Sequence, residues 1–230
     1  MAAANPRTVV IFNAGDSVTL TRWIDQVPGL IDAWYGGEEA GPAVANALFG
    51  DVNPGGKLPF TFLKRLEDSP AYANYPGKDL HVNYAEGLYV GYRFFDKHPD
   101  VAPLFPFGYG LSYTKFEYSG LQLPKTSTGG LQASITVRNT GSRAGAEVVQ
   151  LYVGDPHASV DRPVRELKGF RRVVLAPGES KQVTLSLDRR ALSFYSTASG
   201  QWVAEPGTFE VFLGASSRDL RAKGTFELTQ

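Results

Sequence analysis

The sequence predicts a chain in two parts: a partial α/β sandwich, with parallel-type strands and a helix, followed by an all-β sandwich of immunoglobulin or fibronectin type III type. Three observations predict it. Two apolar runs near the start, Val9–Phe12 and Leu30–Tyr35, show no polar alternation, as in strands covered on both faces of a parallel sheet. Apolar residues then recur at helical spacing, at Ala40, Val44, Ala47 and Leu48. From Phe116 onward, short alternating runs are separated by regular turn signals, the pattern of a β-sandwich.

In order along the chain, Val9–Phe12 (VVIF) ends in the turn residues Asn13-Ala14-Gly15-Asp16. Thr21–Gln26 has room for a short helical turn, and Pro28-Gly29 breaks the chain before the second strand. The helix is expected over Glu38–Phe49, with Gly50 as its C-terminal stop. Lys57–Leu63 (KLPFTFL) reads as a further short strand. From Lys64 to Tyr113 the periodicity fades, while Pro, Gly, Tyr and Phe become dense. Flexible linkers avoid aromatic residues, so this segment is expected to wrap a domain surface with its rings buried.

In the last part, Leu131–Arg138 and Gln182–Leu187 alternate polar and apolar residues, while Glu147–Val153 and Thr208–Leu213 are rich in strand formers. Turns are expected at Asn139–Gly141, Pro177-Gly178, Ser199-Gly200 and Pro206-Gly207. The expected organisation is therefore 1–63 for the α/β part, 64–115 for the aromatic connector and 116–230 for the sandwich.

The 230 residues suffice for one or two domains with their own cores. Twenty-three basic residues balance 23 acidic ones, which argues against a nucleic-acid partner or an anionic membrane surface. No apolar run is long enough to span a bilayer. The opening MAAANPR lacks the apolar stretch of a signal peptide, so either the protein is not exported or its original N-terminus lies outside this sequence. With no cysteine there is neither a disulfide framework nor a thiolate metal site, and cysteine usage does not decide the compartment. Asn-X-Ser/Thr acceptors are also absent from the sequence.

Several residues invite a chemical reading. Glu38 and Glu39 are adjacent, so on a helix they point apart and cannot act as a working carboxylate pair; compensation of the helix dipole accounts for them better. Asp16 and Trp34-Tyr35 follow the carboxyl ends of parallel strands, where open α/β sheets gather ligands. Turn chemistry and core packing are the preferred readings there. Gly55-Gly56-Lys57 lacks the Ser or Thr and the helix that a phosphate loop requires, and Gly108-Tyr109-Gly110 lacks the third glycine of a dinucleotide fingerprint. His81, His98 and His157 are too scattered for a metal site or a catalytic triad. Arg162, Arg165, Lys168, Arg171 and Arg172 form a basic cluster with flanking acids, expected to be a solvated strand-and-loop surface. No metal or cofactor is expected.

Several segments, in order, resemble glycoside hydrolase family 3. NPRTVVIFNAGDSV (Asn5–Val18) is similar to a strand and loop of that family's α/β-sandwich domain. AWYGGEEAGPAVANALFGDVNPGGKLPFTF (Ala33–Phe62) resembles the next strand, the helix and the family's GD-x-N-P-x-G-x-L-P turn. EGLYVGYRFFD (Glu86–Asp96) and PFGYGLSYTKFEYS (Pro106–Ser119) resemble the connector to its last domain. GAEVVQLYV (Gly145–Val153), RPVRELKGFRRVVLAPGES (Arg162–Ser180) and VAEPGTFEVFLGASSRDL (Val203–Leu220) resemble the fibronectin type III-like domain of the β-glucosidase branch.

The resemblance implies a retaining mechanism in the complete enzyme, with an Asp nucleophile and a second carboxylic acid that protonates the leaving group. In the family the nucleophile lies in an N-terminal barrel, and the acid/base Glu precedes the strand matched by Val9–Phe12. Neither motif is matched by a residue of this sequence, so no catalytic residue is expected here. The expected partner is the remainder of the enzyme, the barrel and the first part of the α/β sandwich, with carbohydrate a substrate only of the whole. The resemblance also suggests a secreted or periplasmic location. A second expectation is a non-catalytic module that binds carbohydrate through Trp202 and Tyr195, or docks onto a separate barrel-bearing chain. Strands built for burial on both faces, left without neighbours, should promote self-association.

Overall fold

The computed structural model describes residues 2–230. Its chain divides into two compact units. The first comprises the residues up to Val52 together with Leu58–Phe107; the second comprises Asn53–Lys57 and Gly108–Gln230.

In the first unit, β1 (Val9–Phe12) pairs in parallel with β2 (Gly29–Asp32), with Val9 opposite Gly29 and Phe12 opposite Asp32. The predicted helical turn appears as a 3-10 turn at Ile24–Gln26. The second strand is shorter than the apolar run suggested. Asp32 Oδ1 accepts the Trp34 N–H at 3.0 Å, and Trp34 takes φ +50. This local side-chain bond turns the backbone out of the strand, and Trp34 then meets Phe60 edge-on at 5.5 Å.

A 3-10 turn at Gly37–Glu39 leads into α1 (Ala40–Phe49). Gly50 ends the helix at φ +84, its N–H donating to the Ala47 carbonyl; a Cβ would be strained in that conformation. Lys57–Leu63 is not a strand. Only Phe62 makes a bridge, to Phe105, and Pro59 has no N–H to give a ladder. Phe62 is nevertheless the centre of this unit's core. Its ring lies 6.3 Å from Phe12, 5.4 Å from Phe60 and 6.1 Å from Phe105.

The aromatic connector is only partly buried. Phe95, on α2 (Tyr92–Lys97), is in the core, and Tyr92 packs on Phe107 at 5.0 Å. Tyr75 and Tyr84 are exposed instead. Successive local turns satisfy the backbone here, including Asn74 N–H to Ala71 O and Tyr89 N–H to Glu86 O, so this stretch folds without drawing its rings inward.

The second unit is a two-sheet sandwich. Its strands are β3 (Phe116–Gln122), β4 (Thr126–Ser127), β5 (Gly130–Asn139), β6 (Gly145–Gly154), β7 (Glu166–Leu175), β8 (Ser180–Asp188), β9 (Phe194–Ser196), β10 (Gln201–Val203), β11 (Gly207–Gly214) and β12 (Leu220–Leu228). One sheet runs β4-β12-β11-β6-β7 and the other β3-β5-β8, with β9 and β10 as a separate hairpin. Alternation on β5 points Leu131, Ala133, Ile135 and Val137 inward. They meet Val149, Leu151 and Val153 of β6 and Val211 and Leu213 of β11 in one core.

β6 is buried on both faces. On its outer side Gln150 Nε2 donates to Gly108 O at 3.2 Å and Ala215 O at 2.7 Å, and the Tyr152 hydroxyl donates to Gln150 Oε1. Gly108, at φ +80, leaves no room for a Cβ against the Gln150 amide.

Candidate functional site

The carboxyl end of the β1–β2 pair is the edge the sequence singled out. Asp16 is exposed, and its Oδ1 accepts the Ser17 N–H at 2.6 Å, which is turn chemistry. Trp34 packs on Phe60, and the Tyr35 ring lies against Gly15 while remaining 81% exposed. Asp32, which the sequence reading passed over, closes the same edge. Its Oδ2 is buried without a partner, and burial holds its carboxyl above the usual range despite backbone donors from Trp34 and Ala14. The signal available in the sequence was an acid at the end of an apolar strand, two residues before an aromatic pair.

Glu38 and Glu39 are both exposed and fall in the 3-10 turn ahead of α1. No side-chain cap bond forms there, so their charge acts through the helix dipole.

Gly55-Gly56-Lys57 and Gly108-Tyr109-Gly110 turn out to belong together. Lys57 Nζ donates to Gly110 O at 3.0 Å and reaches Glu147 Oε1 at 3.0 Å. A Cβ on Gly110 would run into Gly56 O. The two glycine turns are thus a close backbone contact, with no cradle of N–H groups at a helix start. Asn53 anchors the same turn. Its Nδ2 donates to Ala144 O at 2.9 Å, and its Oδ1 accepts from Ser112 Oγ at 2.9 Å and from Tyr113 N–H at 2.8 Å.

The basic cluster is not uniformly solvated. Arg162 is largely covered, its side chain 9% exposed, and it donates to Asp155 at 3.2 Å, Glu166 at 3.0 Å and Leu192 O at 3.1 Å. Arg165 donates to Ser217 O at 3.2 Å and sits over the Phe212 ring. Lys168 pairs with Glu166 at 3.2 Å. Only Arg171 and Arg172 point into solvent on β7. Acids flanking the cluster in sequence, Asp155 and Glu166, pair with Arg162 and Lys168 in space, while Arg171 and Arg172 stay solvated.

His81 and His157 lie in exposed turns and His98 packs against Phe94 at 4.6 Å. Among the described residues no group of three His, Cys, Asp or Glu side chains is placed to hold a metal. Trp202 and Tyr195 pair across the β9–β10 hairpin with ring centroids 5.6 Å apart, 48% and 51% exposed, and the Arg190 guanidinium lies 3.5 Å over the Trp202 ring.

Comparison with known proteins gives two family matches. Residues 1–113 match the glycosyl hydrolase family 3 C-terminal domain, and residues 147–217 match the fibronectin type III-like domain. Thermostable beta-glucosidase B of Acetivibrio thermocellus is 47% identical over 97% of this chain, which covers 30% of that protein. Beta-glucosidase BoGH3A of Bacteroides ovatus is 44% identical over 98% of the chain, again covering 31% of the relative. Among solved structures, the Bifidobacterium adolescentis GH3 beta-glucosidase superposes with a TM-score of 0.94 at 41% identity, covering 99% of this chain and 34% of that one. DesR, a beta-glucosidase from Streptomyces venezuelae in complex with D-glucose, gives a TM-score of 0.93 at 44% identity, with 99% and 30% covered. The chain spans about 30% of the length of the curated relatives it matches.

Proposed function

The chain belongs to glycosyl hydrolase family 3, as a C-terminal part of such enzymes, and from that premise we propose that it is the non-catalytic C-terminal portion of a retaining β-glucosidase. The observation that carries this reading is that nearly the whole chain aligns with beta-glucosidases while covering only a minor share of each.

In this reading residues 1–63 continue an α/β sandwich, 64–115 connect, and 116–230 form the fibronectin type III-like domain. The retaining mechanism needs two carboxyl groups about 5–5.5 Å apart. The exposed Glu38 and Glu39 point apart, and Asp16 is engaged in its own turn. We assign no catalytic, cofactor or metal role to any residue here. The partner is the barrel-bearing remainder of the enzyme, and the terminal β-glycoside is that whole enzyme's substrate. The exposed apolar residues of the first unit, Tyr35 and Phe49 among them, support association with that remainder or with a second copy of the chain.

The test is an aryl-β-glucoside assay on the chain alone, and on the chain mixed with a barrel-bearing fragment of beta-glucosidase B. No turnover alone and turnover on mixing is the expected result. Turnover by the purified chain alone, surviving controls for contaminants, overturns the reading.

A second reading rests on the half-exposed Trp202–Tyr195 pair. Exposed, rigid aromatic surfaces favour binding, and a sandwich presenting one would bind glycan without catalysis. Retention on insoluble glucan, abolished by Trp202→Ala, supports it; no retention removes it.

A further inference from the structure

Local turns and one helix face enclose a small cavity in the first unit. Asn74 N–H donates to Ala71 O at 2.9 Å, and Tyr89 N–H donates to Glu86 O at 2.9 Å. Gly91, at φ +55, precedes α2, and His98 N–H closes the helix on Phe94 O. Residues three and four apart share a helix face, which makes Phe94, Lys97 and His98 neighbours. Asn74, Glu86, Tyr89, Phe94, Lys97 and His98 help to line a cavity of about 270 Å³. Ligand pockets start at about 300 Å³, so this one suits a single compact molecule.

Glu86 is the unsatisfied group of the wall. Its Oε2 is buried without a hydrogen-bond partner. Lys97, the cation of the wall, lies instead 3.5 Å over the Tyr89 ring. A covered acceptor without a donor is costly, more so when it is charged. With Oε2 closed off, Oε1 is the oxygen left to meet a donor from outside the chain.

The same wall limits what that donor can be. An anion would face the Glu86 charge, with Lys97 already committed to a ring. An organic cation would find the Tyr89 face held by the chain's own ammonium, and would meet that like charge across a small space. Glu86 and His98 are the two side chains of the wall with metal-ligating chemistry, and among the described residues no group of three is placed to hold a metal. A neutral hydroxyl compound meets each demand. One O–H donates to the carboxylate, and a carboxamide such as that of Asn74 both donates and accepts. The carbon skeleton packs on the Phe94 and His98 rings, whose centroids are 4.6 Å apart.

We propose that this cavity binds a compact neutral polyol, one hydroxyl of which donates to the Glu86 carboxylate while the Asn74 carboxamide bonds a second oxygen. The site lies wholly within the first unit and does not depend on the glycosidase reading.

The experiment is an amide NMR titration of the full chain with glucose and with glycerol, against acetate and tetramethylammonium as charged comparators. Saturable shifts at Asn74, Glu86, Lys97 and His98 are expected with a polyol, and none with the ions. Glu86→Gln removes a charge that no protein group compensates, so the unfolding midpoint should stay or rise. Polyol binding should nevertheless weaken roughly fivefold to tenfold, the difference between a charged and a neutral acceptor. Asn74→Ala, in an exposed turn, should weaken it roughly threefold to tenfold. The proposal is overturned if neither polyol gives saturable shifts at these amides, if acetate or tetramethylammonium binds as tightly, or if Glu86→Gln leaves the affinity unaltered. The aryl-glucoside assay is insensitive to each of these outcomes, so the two readings fail separately.

Discussion

Lys57 Nζ stands 3.0 Å from Glu147 Oε1, with side chains 14% and 4% exposed. The pair ties the signature turn to β6 across a long sequence separation. Removing one partner of a buried pair leaves an uncompensated charge, which costs more than removing both. Glu147→Ala should therefore destabilise the sandwich unit by about 3–5 kcal/mol. Lys57→Met combined with Glu147→Leu should lose far less. Urea unfolding of the two variants decides this; equal losses would mean that the charge pairing is not what matters.

Asn53 joins residue 144 to residues 112 and 113 through three hydrogen bonds. At about 1 kcal/mol per buried bond and less for exposed ones, Asn53→Ala should lower stability by roughly 1–2 kcal/mol, since only the Ser112 bond is part-buried and the bonds to Ala144 and Tyr113 are exposed. Asn53→Asp keeps the acceptor for Ser112 and Tyr113 but loses the donor to Ala144, so it should fall between the two. A midpoint for Asn53→Ala within error of the parent chain would show that these bonds are replaced by water.

These two anchors mark the limit of what the sequence disclosed. Alternation was enough for β5 and β8, because one face of each packs on a single apolar core. It also marked β6 as a strand, but carried no sign of the partner of Glu147, since Lys57 comes from a distant segment. The shortening of β2 depended on a bond between Asp32 and Trp34, which competes with propensity locally and leaves no periodic trace. The solvated surface expected for the basic cluster fails at Arg162, because its partners converge only in the fold, Asp155, Glu166 and Leu192 coming from separate segments. Family membership was legible for the opposite reason: the turn holds Gly50 at φ +84 and is tied by the Asn53 side-chain amide, demands met by residue types that stand out in the sequence itself.

Glu205 offers a check on the electrostatics. Its carboxyl pKa is held below the ordinary value, first by the Ser159 hydroxyl and then by the Ser159 N–H at 3.0 Å. A depressed folded-state pKa adds stability that is present above the unfolded value and is lost as pH falls through the folded value. Ser159→Ala should raise the Glu205 pKa toward that of a free glutamate. Carboxyl-carbon NMR titration reads this directly, and an unchanged midpoint would count against the Ser159 bond.

The first unit carries the remaining prediction. Its sheet has only two strands, and Tyr35 and Phe49 are 81% and 84% exposed, with Val9 and Ile11 also uncovered on β1. Unpaired strand edges and apolar patches of this kind drive association in water. The isolated chain should therefore scatter light as a species heavier than a monomer, with the apparent mass rising with concentration. Replacing Phe49→Lys and Ile11→Lys together places like charges on the helix end and strand edge, and should shift the mass toward the monomer without altering the sandwich. A parent chain that remains monomeric at every accessible concentration would mean that this unit rearranges to cover those residues by itself.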